Sequence, residues 1–223
     1  MAALPSSTFT FHRTAPSTRH SLPPRADLRT RTRTITITRI HRSPASSLPP
    51  FQQGGLDSLC GLYSIVNADR FINHSSDESA QVLFDSIIHY LSRRRLLAKM
   101  LIGGVIHRQM VAILNDVAGE RIPNLWIPWR GIPTPELYTF WRSMQNFLDG
   151  TPGRAVILGL QGYHDHWTVI ETITDKSIFL YDSALIVRLP RYACSTSHAN
   201  GRRIHHLLPA QTYFLSNDDA AEA

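Results

Sequence analysis

The sequence predicts an α+β fold, in which a mainly helical first half is followed by an antiparallel sheet. Two observations support this prediction. Between residues 59 and 148, most apolar residues recur at the spacing of an amphipathic helix. After Thr151-Pro152-Gly153 they occur instead in short runs separated by turns, as in consecutive strands. A chain of 223 residues is long enough for one sizeable domain and a tail.

Residues 1–50 form the predicted tail. They hold eight arginines and one acid, Asp27, for a net charge of +7, and they are rich in Ser, Thr and Pro. Such a composition buries little apolar surface, so we expect disorder, although the alternating pattern of Thr30–Ile40 could add an edge strand. An Arg- and Ser-rich leader is typical of a targeting or secretion segment, and an unimportant leader or a misplaced start is the alternative. We therefore expect a cytoplasmic protein or an exported effector.

The rest of the chain is close to neutral. It holds 15 basic and 16 acidic residues, so the overall net charge of +6 comes from the tail. A nucleic-acid-binding domain carries positive charge on its folded surface, so we expect no nucleic-acid partner. No apolar run is long enough to span a bilayer, so we expect no membrane partner. We assign residues 51–216 to the folded domain and 217–223 to an acidic C-terminal tail.

The segment Phe51–Asn67 (FQQGGLDSLCGLYSIVN) predicts the start of the first helix. Asp57 or Ser58 can cap its first turn. Apolar residues then follow at helical spacing, at positions 59, 62, 63, 65 and 66. Cys60 falls in the first turn, where unpaired N–H groups and the positive end of the helix dipole stabilise a thiolate. Gln53 lies seven residues upstream, where its amide could help to stabilise an oxyanion.

Apolar stripes predict three further helices. The first has Ser75 or Ser76 as its cap and arginines 93–95 near its far end. The second covers Val105–Val117, and we expect its histidine, His107, to be a surface or capping residue. The third covers Thr134–Leu148 and is capped by Thr134.

Five strands are predicted: Asn124–Arg130, Ala155–Leu160, Trp167–Ile173, Ser177–Tyr181 and Gln211–Leu215. The third and fourth would form a hairpin about Asp175-Lys176. His166 leads the third strand and Asp182 ends the fourth, so His166 would lie opposite residue 185. Twist or a bulge would then bring the carboxylate of Asp182 to the imidazole of His166.

These residues fit nucleophilic catalysis. Cys60 would attack, His166 would take and return the proton, and Asp182 would orient His166. His164 would share a strand face with His166, where it could lie at the cleft rim, act as an alternative base, or bind a metal together with His166 and Asp182. No further ligand occurs at a recognised spacing, so we expect neither a metal nor a cofactor.

The second cysteine, Cys194, is expected to be a surface or loop thiol. A disulfide between Cys194 and Cys60 is the alternative, and it would remove the nucleophile. His205 and His206 are adjacent, would point to opposite faces of a strand, and are expected to have no role.

The Gln-loop-Cys-Gly segment, the His-Trp strand and the Tyr-Asp-Ser at the end of the next strand together resemble the papain-like cysteine peptidase superfamily. In chain order the sequence is most similar to bacterial peptidases that process bacteriocin leaders. The strings DSLCG and HWTVIETITDKSIFLYDS also resemble ubiquitin-like-protein-specific proteases, which place the His and Asp before the Cys. The resemblance covers roughly Gln52–Leu215. It implies a helical part carrying the Cys, packed on a sheet carrying the His and Asp, with a cleft between them.

The resemblance also implies a cysteine peptidase that hydrolyses a peptide or isopeptide bond of a peptide or protein substrate through a thioester. Gln53 and the Cys60 N–H would hold the oxyanion. In the family the glutamine is usually one residue nearer to the cysteine, so Gln52 and other backbone N–H groups stay as alternatives. Gly61, Trp167 and His164 are assigned to substrate binding. A thiol amidase, deamidase or acyltransferase, or a binding module without turnover, is the alternative function, and the oligomeric state is not predicted.

Overall fold

The computed structural model describes residues 48–149 and 151–218 of the chain. The predicted strand Thr30–Ile40 and residues 219–223 therefore lie outside the described residues. The helices within the described ranges are α1 (Cys60–Asn73), α2 (Asp77–Arg93), α3 (Leu97–Gly103), α4 (His107–Asp116) and α5 (Leu137–Leu148), with one 3₁₀ turn at Arg191–Ala193. The strands are β1 (Asn124–Trp126), β2 (Arg154–Gly162), β3 (His166–Ile173), β4 (Ser177–Tyr181), β5 (Arg188–Pro190), β6 (Cys194–Ser195) and β7 (His205–Ser216).

The seven strands of the described residues form one sheet in the order β1-β7-β2-β3-β4-β5. All neighbours along this path are antiparallel, and the short β6 pairs in parallel with the start of β7. Strands β2 to β5 are consecutive both in the sequence and in the sheet. The combination of helices and antiparallel strands confirms the α+β prediction.

The sheet is covered on both faces. On β2, Ala155 and Ile157 face a core shared with helices α1, α2 and α4, whereas Val156 and Leu158 face a second core shared with α5. This alternation follows from the two-residue period of a strand. Because both faces are buried, β2 reads as a continuous apolar run, AVIL, rather than as an alternating pattern.

Helix α1 is the central helix of the first core. Nearly every residue from Gly61 to Ile72 is buried, including the polar Asn67. The side-chain amide of Asn67 accepts the Phe51 N–H at 2.8 Å and donates to the Phe51 carbonyl at 3.1 Å, which fixes the chain as it enters the domain. The helix packs against β2 and β3, so its first residue is held at a fixed position relative to the sheet.

The predicted cap of α1 is wrong. The N-cap residue is Leu59, whose side chain offers no hydrogen-bond acceptor. Asp57 contributes instead from two residues before the N-cap, because its Oδ1 accepts the Leu59 N–H at 3.0 Å. The helix therefore begins directly at Cys60.

Two other helix boundaries differ from the prediction. Ser76 is confirmed as the cap of α2, since its hydroxyl accepts the Ser79 N–H. However, α2 ends at Arg93, and Arg95 adopts a left-handed backbone (φ 57°) that separates the short, unpredicted α3. Helix α5 begins at Leu137, three residues after the predicted cap Thr134.

The ends of the described chain contact the domain. The Tyr181 hydroxyl donates to the Leu48 carbonyl at 2.9 Å. At the other end, Asp218 forms an ion pair with Arg154 at 2.9 Å, although the sequence assigns it to the tail. None of the helices in the described ranges is long and apolar enough to cross a membrane.

Candidate active site

Cys60 is the first residue of α1 and is half-buried. The loop before it is bonded to the end of α3: the Ser58 N–H donates to the Leu101 carbonyl at 3.1 Å, and the Ser58 hydroxyl donates to the Ile102 carbonyl at 3.2 Å. Asp57 closes this loop by accepting the N–H groups of Gly54 and Leu59. The thiol is thus held between a fixed loop and the positive end of a buried helix.

His166 and Asp182 lie side by side, as the hairpin predicted. His166 Nε2 is 2.7 Å from Asp182 Oδ2, and both side chains are buried. The register of β3 with β4 shifts between Ile170 and Thr172. This irregularity shifts the pairing by one position, so that Val169 lies opposite Tyr181, and the shift brings His166 one residue nearer to Asp182 than the regular hairpin would.

The second carboxylate oxygen of Asp182 holds the turn after β4. Its Oδ1 accepts the N–H groups of Ala184 at 2.8 Å and Ile186 at 3.0 Å. Burial acts to raise the pKa of Asp182, but the hydrogen bond and positive charge of His166 lower it below its ordinary value. Asp182 therefore stays ionised and has one oxygen for the turn and one for the imidazole.

The pKa of His166 is shifted by both Asp182 and Cys60. Burial acts to lower the pKa of His166, but the hydrogen bonds and negative charges of Asp182 and Cys60 outweigh it and raise the pKa to about 9. Since Nε2 is bonded to Asp182, Nδ1 is the ring nitrogen that is left for a proton exchange with the thiol. Three of the residues selected from the sequence are thus brought together.

Gln53 lies in the segment that precedes α1, and it lines the same cleft as Cys60. Its backbone N–H donates to the Ser183 carbonyl at 3.0 Å, and its side-chain Oε1 accepts from the Ser183 hydroxyl at 3.3 Å. The Gln52 amide instead donates to the Asp182 carbonyl at 3.1 Å. Gln53 is therefore the glutamine placed to direct its amide N–H groups at the cleft.

A cleft of about 760 Å³ opens at this site, and it is lined by residues that include Cys60, His166, Trp167 and Gln53. Trp167 is fixed there because its Nε1 donates to the Val105 carbonyl at 2.9 Å. The cleft runs between the α3–α4 connection on the helical side and strands β2 and β3 on the sheet side.

Two residues assigned to substrate binding lie elsewhere. Gly61 is buried, and a Cβ at this position would approach Met110 Sδ to 2.9 Å and Val105 Cβ to 3.0 Å, so this glycine allows close packing of the helical core. His164 does not line the cleft. Its ring stacks in parallel on the ring of His205, with centroids 5.5 Å apart, and burial together with the charge of His166 lowers its pKa.

The structure corrects three further expectations. His107 is not an incidental surface residue, because it lines the cleft and its Nδ1 is 2.8 Å from the Tyr213 hydroxyl. His205 has a packing role through its stack on His164. Cys194 is fully buried, and burial raises the pKa of its thiol to about 12. Both cysteines are free, which excludes the disulfide between them.

A metal centre has no geometric support in residues 48–149 and 151–218. No group of three or more His, Cys, Asp or Glu side chains is arranged there to hold a metal ion. The described residues therefore give no support to a metal shared by His164, His166 and Asp182.

Comparison of the chain with protein-family models, with curated proteins and with solved structures found no match.

Proposed function

We propose that this protein is a papain-like cysteine peptidase that hydrolyses a peptide or isopeptide bond. The observation that carries the proposal is the hydrogen bond of His166 with the buried carboxylate of Asp182, beside an open cleft that is lined by both His166 and Cys60. Thiol hydrolysis needs a nucleophile, a base and a group that orients the base, and Cys60, His166 and Asp182 can fill these three roles. A helix that presents Cys60 to a sheet bearing His166 and Asp182 is also the arrangement that the papain-like assignment requires.

In the first half of the reaction, Cys60 acts as the nucleophile. Its Sγ attacks the carbonyl carbon of the substrate, and the carbonyl oxygen becomes an oxyanion that accepts hydrogen bonds from the Gln53 amide and the Cys60 N–H. The carbon–nitrogen bond then breaks as His166 delivers its proton to the departing amine. The products of this half are the free amine and a thioester on Cys60.

In the second half, water replaces the amine. His166, now neutral, takes a proton from the water molecule as it attacks the thioester carbonyl. Collapse of the second oxyanion releases the carboxylic acid and returns the Cys60 thiolate and the His166 imidazolium. Asp182 stays ionised throughout and keeps the ring oriented.

The first test measures the pH dependence of iodoacetamide alkylation at Cys60. In the proposed mechanism Cys60 reacts as a thiolate paired with protonated His166. The wild type should therefore label fast at about pH 6, and His166→Ala should abolish this fast labelling. His164→Ala is the matched control, since His164 lies two residues before His166 in the sequence but does not line the cleft. Slow labelling of the wild type, or fast labelling of His166→Ala, would contradict the triad.

The second test asks which bond is cleaved. Wild-type protein is incubated with a mixture of internally quenched peptides, and the products are identified by mass spectrometry. Peptide fragments that gain one water molecule support a peptidase. Loss of ammonia from side-chain amides, or transfer of an acyl group to an added amine, would instead indicate the deamidase or acyltransferase use of the same thioester.

A further inference from the structure

The active-site cleft contains a second histidine that the proposed reaction does not use. His107 is the first residue of α4 and lines the cleft together with Cys60 and His166. Its position along the helix is fixed, because the Ile106 N–H just before it donates to the Gln109 side chain at 3.0 Å. The ring of His107 therefore has a defined place beside the nucleophile.

The ring is also held in one orientation. Its Nδ1 lies 2.8 Å from the hydroxyl of Tyr213, which is fully buried, and the two rings stack with centroids 5.6 Å apart and an interplanar angle of 14°. Tyr213 in turn packs on Trp167, with the ring centroids 5.5 Å apart. Trp167 directly follows His166 in β3. An aromatic series consequently connects His107 to the strand that carries the proposed base.

The hydrogen bond to Tyr213 decides which ring nitrogen carries the proton. A hydroxyl donates a single hydrogen bond, and the other acceptor near the Tyr213 hydroxyl is the His107 carbonyl, at 3.5 Å. The contact with the nitrogen, at 2.8 Å, is the shorter of the two, so we assign the hydroxyl as the donor to Nδ1, and the neutral ring then carries its proton at Nε2. Burial and the charge of Arg130 both lower the pKa of His107, which keeps the ring neutral.

The Nε2–H group has no hydrogen-bond partner among the described residues and is not one of their buried unpaired atoms, so it is open to solvent on a residue that lines the cleft. We propose that His107 is a substrate-binding residue whose Nε2–H donates a hydrogen bond to an acceptor oxygen of a peptide lying in the cleft beside Cys60. This inference rests on the proposed peptidase function. It assigns His107 to peptide binding and not to the chemical step.

The test uses two substitutions that separate the two ring nitrogens. His107→Asn places an amide near the position of Nδ1, which keeps a partner for Tyr213 but removes the donor in the cleft. His107→Gln reaches the position of Nε2 and keeps that donor. A residue that only satisfied Tyr213 would tolerate the first change better than the second, whereas a substrate-binding residue would tolerate the second better.

The probe is a mixture of tripeptidyl acyloxymethyl ketones randomised at every peptide position, and the reference is the same reactive group carrying only an acetyl cap. The ratio of the two labelling rates at Cys60 measures how much the cleft contributes by binding peptide. In wild type the peptidyl mixture should be faster. His107→Asn should lower this ratio about tenfold, the value of one hydrogen bond, while the acetyl reagent rate and the melting temperature stay unchanged. His107→Gln should keep most of the ratio.

Several results would overturn the inference. Equal rates for the two reagents in wild type, or an unchanged ratio in His107→Asn, would remove His107 from peptide binding while leaving the reactive Cys60 intact. Long-range ¹H–¹⁵N spectra that place the proton of the His107 ring on Nδ1 would also contradict the inference, because Nε2 would then have no proton to donate. If even the acetyl reagent fails to label wild-type Cys60, the proposed peptidase function fails and this inference fails with it.

Discussion

Asp182 contacts His166 through one carboxylate oxygen and holds the turn after β4 through the other. The Oδ2–Nε2 distance is 2.7 Å, and Oδ1 accepts the N–H groups of Ala184 and Ile186. The carboxylate is therefore anchored by the backbone before it meets the imidazole. A substitution at Asp182 can for this reason remove the negative charge beside His166 while the turn after β4 keeps its acceptor.

Asp182→Asn should separate charge from position. The amide can still accept the two backbone N–H groups, so the turn should stay folded, but the negative charge beside His166 is lost. We expect peptide turnover to fall by about 10²–10⁴-fold, the usual contribution of acid–base catalysis. Asp182→Ala should in addition destabilise the fold by about 1–3 kcal/mol, because two N–H groups lose their acceptor. Equal unfolding free energies for the two variants would contradict this assignment.

The stability of the fold should depend on the protonation of His166. The pKa of His166 in the folded chain, about 9, lies above its ordinary value, so protonation stabilises the fold. This contribution is fully present below about pH 6.5 and is lost as the pH rises through about 9. Urea unfolding of wild type should therefore weaken between about pH 7 and about pH 10 more than that of His166→Gln. The pKa of His164 is lowered instead, so His164→Gln should retain the wild-type weakening over that range.

Asp57 should act as a positioning residue for the nucleophile loop. Asp57→Ala removes the acceptor of the Gly54 and Leu59 N–H groups on either side of it. We expect hydrogen exchange at these two amides to accelerate and peptide turnover to fall about tenfold, with little change in melting temperature. Asp57→Asn keeps one acceptor oxygen and should recover part of the activity. Unchanged exchange in Asp57→Ala would show that other contacts fix the loop.

Gly61→Ala should test the close packing behind Cys60. The new methyl group would overlap Met110 and Val105, and overpacking of this kind costs about 1–3 kcal/mol. Gly55→Ala is the matched control, since no atom lies within 4 Å of a Cβ at that position. Its unfolding free energy should change by less than about 0.5 kcal/mol. Met110→Ala should cost less in the Gly61→Ala background than in the wild type, because the new methyl group then occupies part of the cavity that the truncation leaves.

Arg121 should stabilise the domain by pairing with a buried acid. It contacts both oxygens of Asp69, which is completely buried in α1, at 3.0 and 2.9 Å. Arg121→Met would leave a buried charge without its cation and should cost about 3–5 kcal/mol. The exposed ion pair of Arg94 with Asp116 provides the comparison, and Arg94→Met should cost less than about 1 kcal/mol. Similar losses in the two variants would contradict the role assigned to burial.

The sequence predicts those parts of the site that depend on local patterns. Cys60 at a helix start follows from apolar spacing, and the pairing of His166 with Asp182 follows from a short hairpin with a turn between its strands. The register irregularity near residue 171 shifts the pairing of β3 with β4 by one position. The predicted contact between His166 and Asp182 does not depend on this shift, because a carboxylate and an imidazole can span one position.

The roles of His107, His205 and Cys194 could not be predicted from the sequence. His107 meets Tyr213, and His205 meets His164, across large separations in the chain, so no local pattern encodes these contacts. The burial of Cys194 likewise depends on the short β6, a two-residue strand that pairs with the start of β7. The cap of α1 was also missed, because Leu59 occupies the N-cap while Asp57 acts from outside the helix.

Cys60 and its proposed base lie on elements that are made at different times during synthesis. The thiol is on α1, near the start of the domain, whereas His166 and Asp182 come from a hairpin that follows all five helices. A nascent or partly folded chain therefore carries Cys60 without its proposed base, and the two meet only when the hairpin packs against α1. For the proposed peptidase, the order of synthesis would then delay any cleavage of neighbouring proteins until the sheet has formed.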